Sequence, residues 1–287
     1  MSPAITVLEN RLIAFLDVLG FSARLEAEAP ADVVALYCTF IDEANTKIFH
    51  QVNELHQTAA VSNFAASKFV FDSVVLVSHP INDPHNVSNF VFAATLLLER
   101  GFTTKFPLRG AISLGDYVES IDHGVFVSPD FKSLFASEQN LDWSGCSILQ
   151  KAETVVLSSL HGSAIHPESA RRNHPVVHCA VPIKNQKQKT ALEEKLWALN
   201  WCYMLTDHEI GQGLEHLIPA KRTPTAKFVS HVQSLAGTKR DAVTGHQPPL
   251  YMRNMPSTTQ CRIRFTDQND QPAEPQMEIQ LGFDAEL

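Results

Sequence analysis

Asp17 and Asp72 each close an apolar run, in Phe15-Leu16-Asp17-Val18-Leu19-Gly20-Phe21-Ser22 and in Lys68-Phe69-Val70-Phe71-Asp72-Ser73. A carboxylate at the end or hairpin tip of a buried strand is costly to desolvate, so it needs a partner. Divalent cations suit two such acids, because Mg²⁺ and Mn²⁺ prefer hard oxygen ligands. The Val18 carbonyl, where the chain leaves its strand, can add a further oxygen. Gly20 frees the backbone to wrap a phosphate tail, and the N–H groups of Gly20-Phe21-Ser22 can hold phosphate oxygens. The expected chemistry is metal-dependent, with two Mn²⁺ or Mg²⁺ ions and a nucleoside triphosphate. In it Asp17 and Asp72 are the catalytic residues and Asp17, Val18 and Asp72 the metal ligands. Two ions would lower the pKa of an attacking hydroxyl and neutralise charge on the leaving phosphates. Taken singly, either aspartate could merely end a strand or cap a turn.

The elements that must position these acids follow from the hydrophobic pattern. Leu12 to Leu16 reads as a buried strand. Ala31 to His56 reads as a helix opened by Pro30, with Val33, Leu36, Tyr37, Phe40 and Ile41 at helical spacing. Ser67 to Val77 predicts two strands hinged at Asp72-Ser73. Pro80, Asn82, Asp83 and Pro84 break the chain before a helix from His85 to Arg100. Leu108 to Tyr117 is the next strand. This order predicts an α+β fold with a ferredoxin-like βαββαβ core: an antiparallel-rich sheet with helices packed on it. Gly124 to Asp142 reads as an irregular arm or loop and Ser147 to Leu157 as a helix. Pro175 to Ile183 reads as a strand, Leu196 to Tyr203 as a strand or helix, and Thr223 to Leu235 as a helix. Thr259 to Thr266 and Met277 to Phe283 alternate enough for a terminal strand pair.

Composition narrows the function classes. The hydrophobic content of 44% and charged content of 19% fit an ordinary globular core. A net charge of −8 argues against bulk-charge binding to nucleic acid or membrane. No apolar stretch approaches the ~18–20 residues of a membrane span. Five scattered cysteines without a C-x-x-C pair, and an N-terminus lacking a basic segment followed by an apolar one, suit a reducing cytoplasm. Neither a G-x-x-x-x-G-K-[ST] nor a G-x-G-x-x-G pattern occurs, so P-loop and Rossmann phosphate sites lack their main support.

The motif Phe15-Leu16-Asp17-Val18-Leu19-Gly20-Phe21-Ser22 resembles the first metal motif of class III nucleotidyl cyclases, and Phe71-Asp72-Ser73 their second. Leu108-Arg109-Gly110-Ala111-Ile112-Ser113-Leu114-Gly115 resembles the following core strand, and Trp143 to Ala152 the next glycine-plus-helix segment. The style is closest to the pyrimidine cyclases of bacterial antiphage (Pycsar) systems. The resemblance implies a cyclase catalytic domain over 10–185, with 186–287 an extension packing on the core or on a dimer partner. It implies a head-to-tail homodimer with active sites at the interface. The product would be a 3′,5′-cyclic nucleotide that alerts a separate cyclic-nucleotide-responsive effector. Gly20, Phe21 and Ser22 would grip the β- and γ-phosphates. Lys68 and Asp142 fall where purine-using relatives read the base, which keeps ATP and an adenylate cyclase in play. Motif style favours UTP, then CTP.

The chain also departs from the family. Where relatives carry Asn and Arg on the helix after the glycine, this chain has Leu149 and Glu153. Another cation must serve in place of the arginine, with Lys151, Lys132, Arg109 and Lys105 the candidates. Otherwise the protein is a nucleotide-binding regulatory module without chemistry. A palm-fold enzyme making linear products is a third reading. His161, His166, His174 and His178, beside Cys179, lack the paired spacing of a zinc site. Trp143, Trp197 and Trp201 read as core aromatics. Lys221-Arg222 and Lys239-Arg240 read as solvated surface charge.

Overall fold

The computed structural model describes residues 4–51, 61–161, 174–184 and 191–235. Strand β1 (Thr6–Val18) leads through Gly20 into the short helix α1 (Phe21–Ala27) and then α2 (Pro30–Glu43), which Pro30 opens. A turn of π-helix (Ala44–Ile48) ends that segment before the small hairpin β2 (His50–Gln51) and β3 (Val61–Ser62). The helix predicted from Ala31 to His56 therefore stops by Ile48, and residues 52–56 lie outside the described residues. Strands β4 (Ala66–Val70) and β5 (Ser73–Val77) form a hairpin whose loop is Phe71-Asp72. Helix α3 (Pro84–Thr103) has Pro84 in its first turn and Asp83 as N-cap, whose carboxylate accepts from the His85 N–H at 2.9 Å. Strand β6 (Leu108–Ser120) completes the predicted order.

Those strands lie in the sheet as β4-β5-β1-β6, every neighbouring pair antiparallel. That is the strand order of a ferredoxin-like core, and the fold is α+β. The sheet then continues. Strand β7 (Val125–Val127) pairs with β6, and helix α4 (Phe131–Asn140) follows. Both fall in the segment expected to be irregular. Strand β8 (Gly145–Ile148) runs parallel to β6. The helix predicted from Ser147 is thus a strand up to Ile148, and helix α5 (Gln150–His161) begins only at Gln150. Strands β9 (Val176–Lys184) and β10 (Ala191–Leu199) pair antiparallel, and β10 lies between β8 and β9. Residues 191–199, beyond 185, therefore share the central sheet. A 3₁₀ turn (Trp201–Met204) precedes α6 (Asp207–His216) and α7 (Pro219–Ser234). Helix α6 opens with a Thr206/Glu209 capping box. The strand pair expected from Thr259 to Phe283 lies outside the described residues.

The two faces of β1 have different fates because side chains alternate along a strand. Leu12, Ala14, Leu16 and Val18 enter the main core, with residues of α2, α3, α5, α6 and α7. Ile13 and Phe15 face a second cluster with Val75, Val77, Ala111, Tyr117 and Leu134 of α4. Coverage of both faces explains why β1 reads as an unbroken apolar run. By the same alternation Asp17 belongs to the α4 face, away from the main helical layer. The outer half of β1 is polar and carries a register shift between Leu8 and Arg11, with Asn10 at φ 50°. Glu119, near the end of β6, forms an ion pair with Lys68 of edge strand β4.

Candidate active site

Hairpin register places the two aspartates at one end of the sheet. Asp17 is the cross-strand partner of Ser73, and the Val18 N–H donates to the Asp72 carbonyl at 2.9 Å. The Ser73 hydroxyl donates to Asp17 Oδ1 at 3.1 Å. Burial raises the Asp17 pKa above its ordinary value, and the charge of Asp72 raises it further; the Ser73 hydrogen bond and Arg109 oppose them. Asp17 therefore senses the charge of Asp72 and is favoured by a nearby positive charge.

Arg109 supplies part of that charge. It is the cross-strand partner of Asp17 on the β6 side, with Nη2 3.6 Å from Asp17 Oδ2. The same nitrogen forms an ion pair with Glu138 of α4, and Nη1 donates to the Leu141 carbonyl at 3.1 Å. Both partners are largely buried, Arg109 at 14% and Glu138 at 7% side-chain exposure. Burial raises the Glu138 pKa first of all; Arg109 pulls it back, while Asp17 and Asp72 push it up. Two acids thus share one guanidinium. Of the other cations named above, Lys151 is bound to Asp130, at 2.8 Å.

The turn after β1 starts at Gly20, which sits at φ 78°, a left-handed conformation that glycine adopts without strain. It turns the chain straight from β1 into α1, whose N-terminus has no side-chain cap. The Phe21 ring packs 5.1 Å from that of Tyr37, while Ser22 is exposed. The Tyr37 hydroxyl is buried without a hydrogen-bond partner among the described residues. Burial raises its pKa, and the charges of Asp72 and Asp17 raise it further, so it lies within electrostatic reach of both acids.

Lys68 and Asp142 are engaged separately. Lys68 Nζ lies 2.9 Å from Glu119 Oε2, in an open cleft of about 270 Å³ between β4 and the β6–β7 end. Asp142 forms an ion pair with Lys221 of α7. Lys221 is only 12% exposed there, so it is a buried partner and not the solvated surface charge expected. Lys184 of β9 donates to the Gln139 carbonyl at 3.0 Å. Its pKa is lowered by burial and then by the neighbouring cations Arg109 and Lys221.

Sequence pattern alone does not single out Glu119 or Lys184, and Lys221 reads there as surface charge. Glu138 has a usable signal, because Phe131, Leu134, Phe135 and Glu138 recur at i, i+3, i+4 and i+7. The other three depend on strand pairing and helix docking that local pattern does not encode. Trp143, Trp197 and Trp201 are buried, as expected for core aromatics.

Fit to divalent ions follows from the donor set. Among the described residues no cluster of three or more His, Cys, Asp or Glu side chains could hold a metal by itself. Mg²⁺-type sites commonly use one or two carboxylates, with water and substrate phosphates completing the shell. Asp17 and Asp72, close enough that the charge of Asp72 raises the Asp17 pKa, fit that pattern. No helix among the described residues is long and apolar enough to cross a membrane.

No protein-family model matches this chain, and no curated protein matches it. Solved structures give low-scoring likenesses. One is the catalytic core of a rhodopsin-guanylyl cyclase with converted specificity, in complex with ATPαS. It is 12% identical, over 68% of this chain and 97% of that one, with a TM-score of 0.41. Another is a bacterial light-regulated adenylyl cyclase, 13% identical over 75% of this chain and 58% of that one, with a TM-score of 0.39. At these scores the likenesses assign no activity to this chain.

Proposed function

We propose that the protein is a nucleotide cyclase that converts a nucleoside triphosphate to a 3′,5′-cyclic nucleotide and pyrophosphate. The observation that supports this reading is that Asp17 and Asp72 lie at one end of the sheet, with the Val18 N–H on the Asp72 carbonyl and the Ser73 hydroxyl on Asp17. Asp17, Asp72 and the Val18 carbonyl would hold two Mn²⁺ or Mg²⁺ ions. Bound there, the ions would favour ionisation of the ribose 3′-hydroxyl and offset charge on the phosphates. The 3′-oxygen attacks the α-phosphorus, its proton passes to solvent, and the bond to the β-phosphate oxygen breaks to release pyrophosphate.

The chain's own residues do the positioning. The Gly20-Phe21-Ser22 turn offers backbone N–H groups to the β- and γ-phosphates. Arg109 supplies a fixed positive charge beside Asp17. Lys68 and Asp142 are the base-reading candidates, and each would exchange its present ion-pair partner for the nucleotide. UTP is the favoured substrate and CTP the next, on motif style; ATP is the alternative. A homodimer with shared active sites, and an antiphage signal read by a separate effector, belong to the same reading.

A second reading, a binding module without chemistry, is favoured by Glu153. Burial raises the pKa of this acid, which stands on α5 where a cation would be needed. Purified protein with Mn²⁺ and each of the four triphosphates separates the two. Cyclic product from the native chain and none from Asp17→Asn or Asp72→Asn supports the cyclase. Saturable binding without product supports the module.

A further inference from the structure

The β4–β5 hairpin closes in two residues, Phe71 and Asp72, between the paired Val70 and Ser73. Phe71 sits at φ 55°, whereas Asp72 is not among the positive-φ residues. A two-residue hairpin loop with positive φ at its first position favours glycine there, because a Cβ crowds the neighbouring carbonyl. For a bulky aromatic residue this is a genuine outlier. Phe71 gains nothing from packing in return, since it is 92% exposed, the most exposed of the large apolar side chains described. The residue is thus unfavourable in backbone and in side chain, which points to a contact made outside the chain.

Its position indicates which contact. Phe71 is one peptide bond from Asp72, whose carbonyl accepts from the Val18 N–H at 2.9 Å, and Ser73 holds Asp17 at 3.1 Å. The ring is carried on a tip fastened to the two acids. A ligand whose phosphates lie at those acids brings its remaining body to within a side chain's reach of the tip. Of the parts of a nucleotide, the flat base is the one that gains from an exposed aromatic face.

We propose that Phe71 is a substrate-contact residue whose ring stacks on the nucleobase of the bound nucleoside triphosphate. This rests on the nucleotide reading above and extends it to a residue outside the metal and phosphate contacts. Stacking tolerates any base, so Phe71 contributes affinity and not base selectivity.

The full-length protein tests it through four forms: native, Phe71→Gly, Phe71→Leu and Phe71→Trp. Three measurements are made on each: urea midpoint, Kd for Mn²⁺ with α,β-methylene UTP by calorimetry, and sedimentation. Phe71→Gly should unfold at higher urea yet bind the analogue about tenfold or more weakly. Phe71→Leu should also bind weakly, and Phe71→Trp at least as tightly as the native chain. An equal Kd in all four forms overturns the stacking role while leaving the nucleotide reading intact. A sedimentation change with unchanged Kd overturns it in favour of a protein contact. Failure of the native chain to bind the analogue overturns both readings.

Discussion

Arg109 and Asp17 face each other across the β1–β6 ladder, with a guanidinium nitrogen 3.6 Å from the carboxylate, and the same guanidinium holds Glu138 of α4. Helix α4 is in this way fastened over the acid-bearing face by a charge that the acids need. Breaking a buried ion pair on one side leaves the other charge uncompensated, at about 3–5 kcal/mol. Arg109→Met should destabilise the protein by about 3 kcal/mol in urea unfolding, and Arg109→Met/Glu138→Leu should recover part of that loss. A single substitution within about 0.5 kcal/mol of the native chain would show that the pair does not hold α4.

Asp17 gives a pH signature whose sign is fixed by its surroundings. Burial and then Asp72 raise its folded pKa above the ordinary 3.8. The folded state therefore keeps this proton to higher pH than the unfolded chain does. The associated stability is fully present below the ordinary value and is lost as pH rises through the raised one. Without metal, Asp17→Asn should be more stable than the native chain near neutral pH. That advantage should shrink on acidification below the ordinary carboxylate range. Thermal unfolding across pH checks it, and an Asp17→Asn protein less stable than native at neutral pH would contradict it.

Divalent ions should reverse that ranking. Mn²⁺ binding to the folded state raises the native midpoint by mass action, while Asp17→Asn and Asp72→Asn should respond far less. Turnover in both variants should fall by at least about a thousandfold, the scale of losing a group that stabilises transition-state charge. Equal Mn²⁺ shifts in all three proteins would remove the two acids from the metal site.

The Tyr37 hydroxyl is buried and unpartnered among the described residues. An unsatisfied buried polar atom costs about 1–3 kcal/mol, so Tyr37→Phe should stabilise the metal-free protein by about 1 kcal/mol. A loss of stability in urea unfolding would mean that the hydroxyl has a partner.

Gly110 lets β1 and β6 approach. A Cβ built there would collide with the Phe15 carbonyl oxygen and lie 2.9 Å from Leu16 Cα, backbone that cannot rotate away. Gly110→Ala should destabilise by about 1–3 kcal/mol and lower activity through the displaced Asp17. A native-like urea midpoint would contradict this.

The ferredoxin-like core is legible in the sequence because its strands and helices carry strong periodic signals, and Asp17 and Asp72 sit at the ends of those signals. The outer half of β1 is not, since Glu9, Asn10 and Arg11 are polar and the register shifts there. Strand β8 is hidden because four residues leading directly into a helix carry too little period of their own. Helices α4 and α6 do have signals, the spacing of Phe131, Leu134, Phe135 and Glu138 and the Thr206/Glu209 cap. The partners Arg109–Asp17, Lys68–Glu119 and Asp142–Lys221 are set by register and docking between segments far apart in the chain, so residue types alone do not reveal them.

The most direct test of the central claim is a product profile. Native protein, Asp17→Asn and Asp72→Asn are each incubated with Mn²⁺ and an equal mixture of ATP, GTP, CTP and UTP, and the products are identified by mass. The native chain should make a 3′,5′-cyclic nucleotide, led by cyclic UMP, and neither variant should make any. A native chain that makes no cyclic nucleotide, or variants that match its output, would show that Asp17 and Asp72 do not serve a cyclase.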